Sequence, residues 1–220
     1  MCGRRQRIHV LAILRKPSRC LGPARISQMG PAWPVCSMPL TIETLASAVA
    51  DGARPSFLCF PDWGGAPPAG WLAPWTLTPF ETGAGRFGSA EHHLMHAKAL
   101  LFDDHPIAER IKRAVTPGQA RELGRRVRGF REDVWLAKRV RLMEEANRAK
   151  FGALPELSAY LLSTWPAVLV QASALDTVWG SGLDLDDPFL PRPGEWPGRN
   201  LVGFSLMKVR EELRRQQSSS

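Results

Sequence analysis

Glu91 and Lys98 stand seven residues apart in the stretch GSAEHHLMHAK, residues 88–98. On a helix that spacing is almost two full turns, so a carboxylate and an amine project from one side, with Met95 between them. The helix dipole favours the ionised form of a first-turn carboxylate. There it can act as a general base or stabilise a cationic transition state. It can also serve only to support the helix, and the residues alone leave both readings open.

The same stretch invites a metal reading, because three of the five histidines fall in it. His92 and His96 are four apart and share a helix face. Zinc asks for three or four ligands. The H-E-x-x-H signature sets its carboxylate between the histidines, whereas Glu91 precedes both. His105 is the only other histidine beyond the first 42 residues, and it sits beside Pro106 without motif spacing. The expectation is that no metal is bound and that these are ordinary helix histidines.

Other groups able to do chemistry lie further on. Asp176 follows an apolar run and precedes Trp179-Gly180, in the kind of post-strand loop that often carries function. Asp184, Asp186 and Asp187 read as a solvated loop. Arg121, Arg125, Arg126 and Arg128 form a run that can hold phosphate or face solvent. Seven of the eight tryptophans lie beyond residue 42, several among turn residues, where a ring can stack on a flat ligand or simply pack.

These residues need elements to position them. Thr41 caps a helix expected to run to about Ala50, and residues 56–60 read as a buried strand. Residues 61–88 are rich in Gly and Pro yet carry Trp63, Trp71, Trp75, Phe80 and Phe87, an irregular but structured surface. Ser89 caps a helix over 90–102 that carries Glu91 and Lys98. Further helices are expected over 107–115, from Thr116-Pro117 to about 127, over 132–151 and over 154–164. Residues 167–172 read as a buried strand, and 180–199 as a loop with eight Gly or Pro. Asn200 caps a last helix. The pattern is α+β, predominantly helical, one domain with a few short strands.

Composition bounds the rest. The 220 residues are 44% apolar, enough for one real core, and the formal net charge is +8. Seven of the 29 basic residues lie in residues 1–42, where no Asp or Glu occurs. The other 22 face all 21 acidic residues, so the body is nearly neutral and the basic excess argues little for nucleic-acid binding there. Residues 1–40 read as a disordered basic extension, with Met38 a candidate start, and 41–217 as the folded domain. Cys59 is the single cysteine of the body, which points to a reducing compartment, the cytoplasm, without a disulfide framework. No apolar run approaches the roughly 18–20 residues that span a bilayer.

Several spaced motifs in order resemble the NADAR family, also called YbiA-like. They are Ser89-Ala90-Glu91-His92-His93 with Lys98; Leu123 to Arg128; Val134-Trp135, Met143 and Ala149-Lys150-Phe151; Asp176-x-x-Trp179-Gly180-x-Gly182-Leu183; Trp196-x-Gly198-x-Asn200-Leu201-x-Gly203; and Leu206-Met207-x-Val209-Arg210. The resemblance covers residues 55–215. It implies an N-glycosidase that cleaves a ribose–nitrogen bond, in phosphorylated intermediates of riboflavin biosynthesis or in ADP-ribose attached to guanine. The substrate partner is thus a small molecule or a nucleic-acid-linked ADP-ribose, with no membrane involved, and no cofactor is required. A non-catalytic module binding ADP-ribose or NAD is the alternative.

The resemblance also implies roles. Glu91, Lys98 and Asp176 become catalytic. Trp135, Trp179, Gly180, Arg125, Asn200 and Phe60 become substrate-binding. Lys98 is left with three roles: pairing with phosphate, orienting Glu91, or attacking the sugar as an amine. His93 stands where the family has Tyr, and His96 where it has a small residue, so a changed ring contact in the pocket is expected.

Overall fold

The computed structural model describes residues 41–63 and 65–218. The expectations for residues 1–40 lie outside them. In chain order the elements are α1 (Ile42–Ala50), β1 (Phe57–Pro61), β2 (Phe80–Thr82), β3 (Gly85–Phe87), α2 (Ala90–Leu101), α3 (His105–Lys112), α4 (Pro117–Arg125), α5 (Glu132–Ala153), α6 (Pro155–Ser163), β4 (Val168–Ala172) and α7 (Leu201–Ser218). Short 3-10 turns cover Ala69–Leu72 and Pro193–Glu195. The α+β, predominantly helical architecture is the one expected. None of the described helices is long and apolar enough to cross a membrane.

Most helix starts follow local chemistry. The Thr41, Ser89 and Thr116 hydroxyls each accept a backbone N–H from the first turn of α1, α2 and α4. Two segments depart from expectation. Helix α3 begins at His105, because the Asp104 side chain caps it by accepting from the Ile107 N–H and Pro106 fits the first turn. Residues 80–87, expected as loop, form a hairpin in which Phe80 faces Phe87 across the two strands. The aromatics at its ends pack together, and two residues, Gly83-Ala84, suffice to turn the chain.

The two long-range strands form the floor of the site. β1 and β4 pair in parallel, Phe57 beside Val168 through Pro61 beside Ala172, so their carboxyl ends lie together. All five residues of β4 are buried, as befits a parallel strand covered on both faces. Helix α7 packs on β4. A Cβ at Gly203 would stand 2.1 Å from the Leu169 carbonyl oxygen, so only glycine lets the helix approach that closely. Helix α2 packs against α3, α4 and α5. A Cβ at Gly124 would meet the Met95 sulfur at 2.2 Å, so this glycine allows α4 to lie against α2. Cys59 is disulfide-bonded and is not the lone thiol that the cysteine count implies, since spacing along the chain does not say which thiols approach one another.

Candidate active site

The carboxyl ends of β1 and β4 open onto a narrow cleft lined by Asp62, Pro74, Trp75, Glu91, Arg121, Met143, Gln171, Asp176 and Trp179. Ligands commonly bind outside the carboxyl ends of parallel strands, where loops rather than ladders meet. Here Asp62 follows β1, and Gln171 is the penultimate residue of β4. The Ser173 hydroxyl donates to Asp62 Oδ2 at 2.7 Å and ties the two strand ends together.

Glu91 enters the cleft from the first turn of α2. Its backbone N–H donates to the Pro74 carbonyl at 3.0 Å, which docks that turn on the loop carrying Trp75. Its side chain is buried and makes no hydrogen bond among the described residues. Burial pushes its pKa up to about 7; Arg121 opposes this, Asp176 adds to it, and Arg125 and Lys98 oppose it more weakly. The helix-dipole argument therefore loses: loss of hydration outweighs a first-turn dipole, which is worth about 1 kcal/mol at most at the surface. At neutral pH Glu91 is poised between acid and base.

Asp176 is held differently. Its Oδ1 accepts the N–H groups of Val178 at 3.0 Å and Trp179 at 2.7 Å. Its Oδ2 lies 3.9 Å from an Arg121 nitrogen. The turn that carries it needs Gly180, where a Cβ would stand 3.0 Å from the Asp176 carbonyl and 3.1 Å from that of Gln171. Trp179 and Trp75 contribute two aromatic walls.

Of the expected site residues, Glu91, Asp176 and Trp179 converge on this cleft, and the others do not line it. Lys98 donates to the Gly124 carbonyl at 2.8 Å and lies 4.6 Å from the Phe130 ring centre and 5.3 Å from that of Trp135. It secures the end of α4 and reaches Glu91 only as a charge. Trp135 is the wall of that amine rather than of the cleft. Arg125 is solvent-exposed and pairs with Glu122. Phe60 is fully buried in the core. Asn200 is equally buried, with φ 51°; its side chain accepts from the Gln171 N–H at 2.9 Å and donates to the Leu169 carbonyl at 2.9 Å. It thus completes the outer edge of β4, which pairs with no third strand among the described residues. Gly180 serves the turn.

The histidines are absorbed by packing. Both ring nitrogens of His92 have partners, Ser89 Oγ at 2.8 Å and the Ala114 carbonyl at 3.2 Å. His93 and His96 pack edge-on to Phe87, so the departure at His93 changes a contact with the hairpin and not with the cleft. No group of three or more metal-binding side chains occurs among the described residues.

Asp62, Trp75, Arg121, Met143 and Gln171 complete the cleft without having been singled out as site residues. Asp62 directly follows the first strand and could have been found by that position. Arg121 belongs to the arginine run noted above, yet only the fold distinguishes it from Arg125 and Arg126, which turn away to Glu122. Met143 belongs to the family motif but was assigned no role there, and Gln171 carries no signal in the sequence.

Known proteins share the sequence pattern and the fold of this chain. The NADAR domain family matches residues 63–214. The chain is 40% identical over 124 residues to an N-glycosidase of Acanthamoeba polyphaga mimivirus, covering 56% of this chain and 73% of that protein. It is 33% identical over 136 residues to N-glycosidase YbiA of Escherichia coli, covering 61% of this chain and 76% of that protein. A riboflavin biosynthesis protein of Zea mays is 36% identical over 129 residues, 55% of this chain but 19% of that longer protein. The solution structure of Escherichia coli YbiA superposes with a TM-score of 0.60 at 28% identity, covering 74% of this chain and 88% of that one. With a matched region that contains every residue of the cleft except Asp62, this chain belongs to the NADAR domain family.

Proposed function

We propose that this protein hydrolyses the ribose–nitrogen bond of an ADP-ribosyl or phosphoribosylamine-type substrate in the cleft between Glu91 and Asp176. The coarser part follows from the family and from relatives named N-glycosidases: the chain is a hydrolase acting on N-glycosyl bonds. The observation that carries the residue assignment is Glu91, buried, without a hydrogen-bond partner among the described residues, and titrating near neutrality at the wall of the cleft.

The chemistry asks for little more. As the bond from C1 of the ribose to nitrogen breaks, the sugar becomes oxocarbenium-like and the leaving nitrogen must gain a proton. Water then adds to C1 and gives up a proton, so one water is consumed per bond. Two carboxyl groups in different environments divide such work. Glu91, poised near pH 7, carries the proton. Asp176, fixed by two backbone N–H groups, supplies negative charge beside the sugar. Trp75 and Trp179 offer flat faces to a leaving base.

The riboflavin form of the substrate draws support from the maize relative, whose name places that protein in riboflavin biosynthesis. The ADP-ribose form draws on the long loop over 180–199. Purified protein offered ADP-ribosyl-guanosine, a riboflavin-pathway ribosylamine phosphate and NAD is expected to release free base from at least one. Glu91→Gln is expected to abolish that release while keeping the fold. Ligand binding with no base released from any of them would favour the non-catalytic alternative.

A further inference from the structure

We propose that Arg121 selects for an anionic, phosphorylated ribosyl group, exchanging its loose neighbour Asp176 for the phosphoryl oxygens of the substrate. This rests on the N-glycosidase reading above and adds the residue that recognises the substrate's charge.

Among the described residues, Arg121 is the single cationic side chain lining the cleft, against three carboxyl groups, Asp62, Glu91 and Asp176. Among the charged groups of that lining, only Arg121 attracts a phosphate. The guanidinium also makes no hydrogen bond among the described residues. Its approach to Asp176 Oδ2, at 3.9 Å, is too long for a hydrogen bond, and no other hydrogen bond to it occurs among the described residues. Its neighbours on α4 behave differently: Arg125 and Arg126 both donate to Glu122. Asp176 in turn does not depend on Arg121, because backbone N–H groups already serve its Oδ1.

The orientation suits the task. The Arg121 guanidinium carbon lies 5.4 Å from the centre of the Trp75 ring, a seat that braces the planar group while leaving its N–H edge free. A planar fork of donors matches two phosphoryl oxygens, which a lysine cannot do. The side chain is 36% exposed, enough to reach a ligand entering from solvent.

The same contact couples recognition to chemistry. Four charges act on Glu91: Arg121 and Arg125 from α4, Lys98 from α2 and Asp176 from the loop after β4. Arg121 is the largest of those that hold its pKa down. A phosphate that neutralises Arg121 raises the pKa of Glu91 further. Glu91 then keeps its proton to higher pH when a phosphorylated substrate is bound. An unphosphorylated substrate lacks this effect.

The experiment compares a ribosylamine 5-phosphate with its dephosphorylated counterpart on wild type, Arg121→Gln and Arg121→Lys. Wild type is expected to favour the phosphorylated form roughly 10- to 100-fold in kcat/KM, the worth of a charge-assisted hydrogen-bonded contact. Its kcat profile should extend to higher pH with that form. Arg121→Gln should erase both differences, mainly through KM, and Arg121→Lys should restore part of the preference. Retention of the preference by Arg121→Gln, or an equal loss on both substrates with an unmoved pH profile, overturns the proposal. Ribose 5-phosphate and ribose, titrated directly, separate this failure from failure of the enzymatic reading. If no substrate is turned over, tighter binding of ribose 5-phosphate than ribose, lost in Arg121→Gln, still supports Arg121; equal binding sinks it.

Discussion

Glu91 and Lys150 are two ionisable groups buried by the same fold, and burial draws both toward neutrality, the acid up to about 7 and the amine down to about 7. They even serve one loop: the Glu91 N–H donates to the Pro74 carbonyl, and the Lys150 amine donates to the adjacent Ala73 carbonyl at 2.9 Å. Their surroundings differ. Glu91 is 5% exposed at the wall of a cleft with its carboxyl unbonded, whereas Lys150 is 0% exposed and seated on a carbonyl. A displaced acidity marks a functional group only where a substrate can reach it. Lys150 is the structural member of the pair, fixing the loop that presents Trp75.

The widest separation should come from turnover. Glu91→Gln is expected to lose roughly 10²- to 10⁴-fold in base release, the usual worth of a positioned acid or base. Lys150→Met should keep readily measurable turnover. Equal losses in the two variants would erase the distinction. Asp176→Asn comes next, with a loss of roughly 10- to 100-fold. Its amide oxygen can still accept the Val178 and Trp179 N–H groups, so circular dichroism should show an intact fold.

Stability against pH sharpens the same contrast, because the two groups act in separate windows. Glu91 has a raised folded-state value, so its contribution is fully present below its unfolded value of 4.5 and is lost as pH climbs to about 7. Lys150 has a lowered folded-state value, so its contribution is present above 10.5 and is lost as pH falls to about 7. Chemical denaturation across pH should show Glu91→Gln flattening the first slope and gaining about 1–3 kcal/mol relative to wild type at pH 8. Lys150→Met should flatten only the second. The smallest effect is expected from Arg125→Ala, at most about threefold in turnover, since an exposed pair with Glu122 is worth about 1 kcal/mol or less.

The fold was largely legible because its signals are local. Thr41, Ser89 and Thr116 announce their helices by side-chain caps, and the run Ala167 to Ala172 announces a buried strand. The hairpin of β2 and β3 was not legible, since three-residue strands leave no period to read. In the site, Glu91 and Asp176 were candidates from the residues alone, and the family pattern implied roles for them and for Trp179. That pattern also drew in Asn200, Gly180 and Phe60, because motif residues that hold a turn, a sheet edge or a core look the same in sequence as residues that touch a substrate.

By itself the sequence determined the helices and the two buried strands, the single glutamate in the first turn of α2, the Asp176-Trp179-Gly180 turn and the family. Caps, periodicity and turn chemistry act over a few residues and are written along the chain. Only the tertiary structure decided which side chains share the cleft. The parallel pairing of β1 with β4 brings Asp62 to Ser173 across 111 residues, and the approach of α4 to α2 at Gly124 sets Arg121, not Arg125, beside Glu91. Burial then moved Glu91 from an ordinary carboxylate to a group poised at neutral pH, because desolvation depends on everything packed around a residue and on nothing in its own spacing.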